Sequence, residues 1–258
     1  MISERAAVSD KAKIGKNVTI EPFAFIADDV IIGDGAWVGP NSTILDGARI
    51  GKNCKIFPGA VISAIPQDLK FNGEVTQTEI GDNTIIRECV TVNRGTDDKG
   101  KTVVGSGCLL MAYVHVGHDT IVGNHCVLAN AVTIAGHVVI EDYAILEGLV
   151  AIQQFVKIGA HTFIAGGSKV RKNVPPYVKA AREPLSFIGV NTIGLKRRGF
   201  EDTVIQHIED IYRNIYVFNK NIGSAIKIVD AEMSQTPERD RILEFIRNSE
   251  NGIMRGPA

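Results

Sequence analysis

The sequence predicts a mainly β protein: a parallel β-helix wound from hexapeptide repeats over residues 1–190, followed by a small α-helical C-terminal domain over residues 191–258. Three observations carry this. Stepping by six from Val8 to Val170 meets Val, Ile or Leu at 25 of 28 positions, a period that suits neither an amphipathic helix nor a flat strand. The residue after the aliphatic is often glycine (Gly15, Gly33, Gly51, Gly81, Gly105, Gly117, Gly123), and four places after it stands a small one (Ala12, Ala24, Ala36, Ser42, Ala48, Cys54, Ala60). The period stops after Val174-Pro175-Pro176, and from about Asn191 the spacing turns helical, with Val204, Ile205, Ile208, Ile211, Tyr212, Ile215 and Tyr216 on one face.

Taken in order, the first stretch runs unbroken from Val8 to Ile62. The period lapses at Asp68 and Glu74, returns in phase at Ile80, lapses again at Asp98, and then continues without a break from Val104 to Val170. Residues 63–79 and 94–102 therefore read as loops thrown outward from a coil that keeps its phase. Loops on a rigid scaffold are where ligand contacts concentrate. The period resembles that of hexapeptide proteins, in which three hexads close one triangular coil, so that residues eighteen apart stack. Near the end, Thr236-Pro237 reads as the N-cap and first position of a helix carrying Ile242, Phe245 and Ile246. The helical domain is expected to pack on the side of the coil or to cap its open end and cover the strand edges.

Lys plus Arg (28) balance Asp plus Glu (29), and no basic stripe is interleaved with aromatics, which argues against a nucleic-acid partner. The opening residues lack the basic and apolar regions of a signal peptide, and no apolar run approaches the roughly 20 residues of a membrane span. A cytoplasmic protein with no integral membrane segment is the expectation. Cys54, Cys108 and Cys126 occupy the small slot and read as interior fillers in a reducing compartment, neither disulfides nor metal ligands.

Five of the six histidines lie between positions 115 and 161. In the eighteen-residue frame Gly136 stacks over His118, Gln154 continues that column, and His137 stands over Asp119. His115, His118 and His137 gather toward one face, so the spacing leaves a zinc site open. The other reading is a general base, because Asp119 directly follows His118 and offers a carboxylate to orient the imidazole. His125 and His161 have no such company and read as solvent-facing or structural. No serine or cysteine nucleophile signal accompanies the pair. A base that activates the substrate's own hydroxyl or amine, with direct transfer, is thus favoured over a covalent acyl-enzyme. Gly136 is placed to present a backbone N–H to a developing oxyanion.

Residues 110–126 (LMAYVHVGHDTIVGNHC), 128–137 (LANAVTIAGH), 153–155 (QQF), 66–70 (PQDLK) and 189–200 (GVNTIGLKRRGF) closely resemble the UDP-N-acetylglucosamine O-acyltransferase family, which begins lipid A biosynthesis in Gram-negative bacteria. The resemblance implies a left-handed coil and a homotrimer. It implies transfer of a (3R)-3-hydroxyacyl chain from acyl carrier protein to the glucosamine 3-hydroxyl of UDP-N-acetylglucosamine. It implies no metal, and no cofactor beyond the phosphopantetheine arm of the carrier. Carried over, it makes His118 the base, Asp119 its support and Gly136 the oxyanion donor. His115, His137 and Gln154 become contacts to the sugar and its phosphates. Gln67, Asp68 and Lys70 match substrate-contacting positions, and Asn191, Arg197 and Arg198 match positions that contact the nucleotide or its diphosphate, for which the arginine fork is suited. Without the resemblance, Lys196-Arg197-Arg198 reads as an ordinary solvated basic turn. Basic residues at the rim suit the acidic carrier protein.

Gly166 falls at the position resembling the family's acyl-chain ruler; lacking a side chain, it predicts room for a longer chain, with Phe163 or Pro184 setting the end. Gln153, Asn93 and Ile193 depart from the family pattern, which often has histidine at the first two positions and an acidic residue at the third. The departures leave open a related sugar N-acyltransferase that uses a 3-amino sugar nucleotide. A zinc-dependent lyase of the hexapeptide fold and a non-catalytic scaffold are the readings from other classes.

Overall fold

A computed structural model describes residues 1–219 and 221–256; residues 220, 257 and 258, which fall within the predicted helical domain, lie outside the described residues. Each hexad forms a short strand and a turn. The aliphatic that ends the strand points inward, and Ile20, Ile26, Ile32, Val38, Ile44 and their successors up to Val170 line a single apolar core. The third residue after it is left-handed, as at Asn17, Asn41, Asn53, Asn83, His125, Tyr143 and His161 with φ between 54° and 61°. That conformation costs a non-glycine residue on the order of 1–2 kcal/mol, offset here by continuous pairing between coils. The small residue that follows, such as Ala24, Ala36, Ala60 or one of Cys54, Cys108 and Cys126, is buried inside the corner. The three cysteines are free thiols in the interior, as their slot predicts.

The strands form three sheets of nine, eight and ten strands, visited in turn by the chain. Within the described coil all neighbouring strands are parallel, with a register of eighteen residues such as Phe25 against Thr43. Val61 instead pairs with Thr91, and Thr91 with His115. The two excursions therefore add twelve and six residues, whole numbers of hexads, and the inward aliphatic never changes face. The loops are shorter than the lapse in period suggests. Gln77–Ile80 and Lys101–Val104 pair along their lengths, so their first residues belong to strands, and the loops proper are 65–76 and 94–100. Both leave at the same corner, where the first sheet hands the chain to the second.

Past Val170 the strand Val178–Ala181 closes the third sheet, and Ser186–Val190 turns back antiparallel against it. Among the described residues four helices follow: α1 (Thr192–Arg197), α2 (Asp202–Arg213, continued by a π-helical turn at Asn214–Phe218), α3 (Ile222–Glu232) and α4 (Pro237–Arg247). Thr236 caps α4 by accepting from the Arg239 amide, with Pro237 in the first turn, as its sequence signature predicts. Ile205, Ile208, Ile211 and Tyr212 form the buried face of α2, and the Tyr212 hydroxyl donates to the Pro176 carbonyl at 2.6 Å. The helices both close the end of the coil and reach down its side: Asn173 and Ser186 bridge to Ile253 and Arg255, and Arg241 of α4 meets Glu141 at 2.8 Å. No helix among the described residues is long and apolar enough to cross a membrane.

Candidate active site

His118 and Asp119 occupy the corner between the first and second sheets, one coil beyond the second loop. The eighteen-residue stacking holds there: a Cβ built on Gly136 would stand 2.6 Å from Cε1 and Nε2 of His118, so only glycine leaves the ring its place. Among the described residues the Gly136 N–H has no acceptor within the chain.

Asp119 is buried and left-handed, φ 57°. Its Oδ2 lies 2.8 Å from His118 Nδ1 and accepts from the Thr96 hydroxyl at 2.6 Å; its Oδ1 accepts from the Thr96 amide at 2.9 Å and the Lys99 amide at 3.3 Å. Burial is the largest single influence and pushes the Asp119 pKa up. The hydrogen bonds from Thr96 and His118, aided by His137, outweigh it and hold the carboxyl below its ordinary value. An ionised carboxylate only accepts, so His118 carries its proton on Nδ1 and leaves Nε2 free to act as a base. The loop supplying Thr96 is itself fastened: Thr76 Oγ1 donates to the Gly95 carbonyl at 2.6 Å, and the Gly95 amide donates to Gln77 at 3.1 Å.

His137 meets the His118 ring edge-on at 5.0 Å and stacks on Phe155 at 4.7 Å. Its Nδ1 is 3.2 Å from Asp98 Oδ2, out of line for a hydrogen bond but close enough to pair as a cation. His115 stands one strand earlier, its Nδ1 2.8 Å from Thr91 Oγ1; burial, then the neighbouring His118, lowers its pKa. His118, Asp119 and His137 place possible ligand atoms within 4.8 Å of one another, whereas His115 stands outside that group. The donor set does not suit a resident cation, because the Asp119 oxygens already accept four hydrogen bonds and His118 Nδ1 is one of the donors.

A cleft of about 530 Å³ runs along this corner and the adjoining first sheet. Gln67, His115, His118, Gly136 and Gln154 all border it, over apolar walls that include Ile134, Ala151 and Ile152. Asp68, Lys70 and His137 border a neighbouring recess with Phe71 and Phe155.

The remaining predicted contacts lie elsewhere in a single chain. Asn191 caps α1 by accepting from the Gly194 amide, and its Nδ2 donates to the His161 carbonyl at 2.8 Å. Arg198 donates to the Tyr143 carbonyl at 3.0 Å and lies over that ring, while Arg197 is exposed. These three sit by the corner between the second and third sheets. Phe163 lies on the third sheet, Gly166 at the next corner, and Pro184 in a smaller recess that shares Lys169 and Arg171 with the main cleft. None of the three borders the main cleft of one chain.

Sequence reasoning missed Thr96, Thr102 (whose hydroxyl accepts from the Asp119 amide at 2.8 Å) and Asp98. One signal was available: counting hexads puts both loops at the corner of His118.

Two family profiles match the chain: residues 173–254 match the second domain of UDP-N-acetylglucosamine O-acyltransferase, and residues 29–64 and 101–136 match the bacterial transferase hexapeptide. A relative from Sulfurihydrogenibium sp., named acyl-[acyl-carrier-protein]–UDP-N-acetylglucosamine O-acyltransferase, is 51% identical over 253 residues, covering 98% of this chain and 93% of its own. One of the same name from Chlorobaculum parvum is 51% identical over 97% of this chain and 96% of its own. The solved UDP-N-acetylglucosamine acyltransferase from Bacteroides fragilis superposes with a TM-score of 0.97 at 49% identity, covering 99% of this chain and 100% of that one. The enzyme from Francisella novicida does so with 0.96 at 39% identity, covering 100% and 95%.

Proposed function

This chain belongs to the acyl-[acyl-carrier-protein]–UDP-N-acetylglucosamine O-acyltransferase family, and from that premise we propose that it moves a (3R)-3-hydroxyacyl chain from acyl carrier protein to the glucosamine 3-hydroxyl of UDP-N-acetylglucosamine, the first step of lipid A biosynthesis. The observation that carries the reading is the His118–Asp119 pair set beneath the uncommitted Gly136 amide. His118 Nε2 takes the 3-hydroxyl proton as the sugar oxygen attacks the thioester carbonyl, and Asp119 supports the imidazolium that forms. The Gly136 N–H donates to the oxyanion of the tetrahedral intermediate. Collapse breaks the carbon–sulfur bond, and the leaving thiolate takes the proton back from His118.

In this reading the enzyme is a cytoplasmic homotrimer that needs no metal or cofactor beyond the carrier's phosphopantetheine. Asn191, Arg197 and Arg198 stand at a different corner from His118 in one chain, and a neighbouring copy would bring that corner, with the ruler residues, to the cleft. His115, His137, Gln154, Gln67, Asp68 and Lys70 would hold the sugar nucleotide from within the chain. Gly166 presents no side chain, so fourteen- and sixteen-carbon donors should be used at least as well as a ten-carbon one, an order of preference set by the fit of methylenes.

The test is an acyl-transfer assay with UDP-N-acetylglucosamine and its 3-amino analogue, against 3-hydroxyacyl carrier proteins of several lengths, with and without a chelator. Chelator-insensitive transfer to the 3-hydroxyl is expected. Transfer only to the amine would assign the acceptor differently, and loss of activity in chelator would overturn the metal-free mechanism. Light scattering that gives the mass of one chain would overturn the trimer.

A further inference from the structure

Asn93 ends the strand Thr91–Asn93 beneath the catalytic coil and is 3% exposed. Its Nδ2 donates to the Ile65 carbonyl at 2.9 Å, at the root of the first loop. That bond settles which way the amide faces, since the opposite assignment would set two oxygens against each other. The Oδ1 therefore points away from Ile65, and it is buried without a hydrogen-bond partner in the chain. Of the buried side-chain atoms left so among the described residues, those of Thr78, Arg94, His137, His161 and Arg198 belong to residues outside the main cleft; Asn93 alone borders it. The register that sets Thr91 against His115 and Val92 against Val116 brings Gly117 over Asn93, so the residue above adds no side chain. A buried acceptor is costly to leave unpaired, and a site that keeps one open is built for a donor that arrives with a ligand.

We infer that Asn93 Oδ1 accepts a hydrogen bond from an O–H or N–H of the acceptor sugar and so helps set specificity for the sugar nucleotide. The inference rests on the acyltransferase reading above. Asn93 lies one coil from His118 on the side away from Gly136, the amide assigned to the thioester oxygen, and it borders the same cleft as Gln67 and His115, both assigned to the sugar nucleotide. The group beside Asn93 is then the attacking sugar, which carries several hydroxyls and an acetamido N–H, whereas the acyl chain near its carbonyl carries a single hydroxyl. Asn93 takes no part in proton transfer.

The experiment compares wild type with Asn93→Leu and Asn93→Asp. The measurements are calorimetric affinity for UDP-N-acetylglucosamine, KM for each substrate, and Tm. Leucine removes both hydrogen bonds; aspartate keeps the acceptor and loses the donor to Ile65. The expected result is sugar-nucleotide affinity about 10-fold to 100-fold weaker in Asn93→Leu and near wild type in Asn93→Asp, with the KM for acyl carrier protein unchanged. Equal weakening in both variants, tracking a common fall in Tm, would reduce Asn93 to an anchor for the loop and overturn the inference. Unchanged sugar affinity in Asn93→Leu, or a change only in the KM for the acyl donor, would overturn it as well. Affinities for UDP-glucose and UDP identify the donor: a wild-type-to-leucine gap that persists with UDP-glucose assigns a ring hydroxyl, and one that disappears with it assigns the acetamido N–H. A gap that persists with UDP alone overturns the sugar contact. Wild-type protein that binds no UDP-N-acetylglucosamine would sink the acyltransferase reading and this inference with it; wild type that binds and transfers while Asn93→Leu binds equally sinks the inference alone.

Discussion

Two corners of one coil carry histidine on the same kind of turn and use it differently. Between the second and third sheets, His125, Tyr143, His161 and Tyr177 stack ring on ring at 4.9, 4.9 and 5.7 Å. One place earlier in those turns stand Asp34, Asp82, Asn124 and Asp142, whose side chains accept from the amides of Lys16, Lys52, Ser106 and Asn124 in the coil below at 2.6–2.9 Å. Between the first and second sheets that same place holds His118 and Gly136. With glycine at 136 the ring of His118 has room beneath it, and with Gln154 rather than Asp or Asn one coil above, no side chain caps the amide of Gly136, which stays free. The charges differ as well. Burial first, then Arg198 and Arg241, hold the His161 pKa down to about 4, whereas the other corner sets Asp119 and Asp98 beside His118 and His137. The turn is common to both; the neighbours decide whether an imidazole is a base or a packing ring.

The sharpest way to break this contrast is to exchange the rings. His118→Ala should lower kcat/KM for acyl transfer by about 10³-fold with circular dichroism unchanged, within the range usual for removing a general base. His161→Phe keeps the stack and should leave kcat/KM within about twofold of wild type. Comparable losses in both would mean that the two corners are not functionally distinct. Next in size is Gly136→Ala. Its methyl would overlap the His118 ring at 2.6 Å, and a fall in kcat of about 100-fold is expected from displaced base and blocked amide together. Gly148→Ala is the control, since its Cβ meets only the Asn130 carbonyl at 3.4 Å. If the two alanines cost the same, crowding of His118 is not the cause.

What was legible in the sequence follows from periodicity. The coil, the column from His118 through Gly136 to Gln154, the interior cysteines and the Thr236 cap all depend on residues at fixed spacing, and pairing between coils enforces that spacing. The partners of Asp119 were not legible, because Thr96 reaches it across 23 residues through a loop closure with no period. The same holds for Arg198, which finds the Tyr143 carbonyl 55 residues away, and for Asn191, whose polar atoms go to a helix cap and a coil carbonyl. Helix docking, unlike coil stacking, has no repeat to announce it.

Thr96 tests how far the catalytic corner depends on its loop. Thr96→Val removes the hydroxyl that donates to Asp119 Oδ2 at 2.6 Å and keeps the amide that donates to Oδ1. With one donor fewer the carboxylate is held less firmly against His118 Nδ1, and kcat/KM should fall about 10-fold, as is usual for groups that orient a functional side chain. Thr96→Ser should restore the rate. A loss of rate that merely tracks a fall in Tm would make Thr96 a loop anchor alone.

The smallest effect separates the corners by the pH at which each yields. The His161 pKa is lowered on folding from 6.5 to about 4, so between those values the unfolded chain binds a proton that the folded chain refuses. Stability contributed by the neutral ring is thus complete above pH 6.5 and declines as the pH falls toward 4. Asp119 has the same sign, its contribution also lost as the pH falls, but in a lower range. Its carboxyl is held below the ordinary 3.8, so its contribution is present above that value and is lost only as the pH falls through the still lower folded value. Between pH 7 and about 4.5, then, the aromatic corner should weaken while the hydrogen bonds of Asp119 persist. Melting curves across that interval should show the wild-type Tm falling a few degrees further than that of His161→Phe, which has no proton to take up. Parallel curves for the two proteins would place the acid sensitivity elsewhere and remove the stacked histidine as its source.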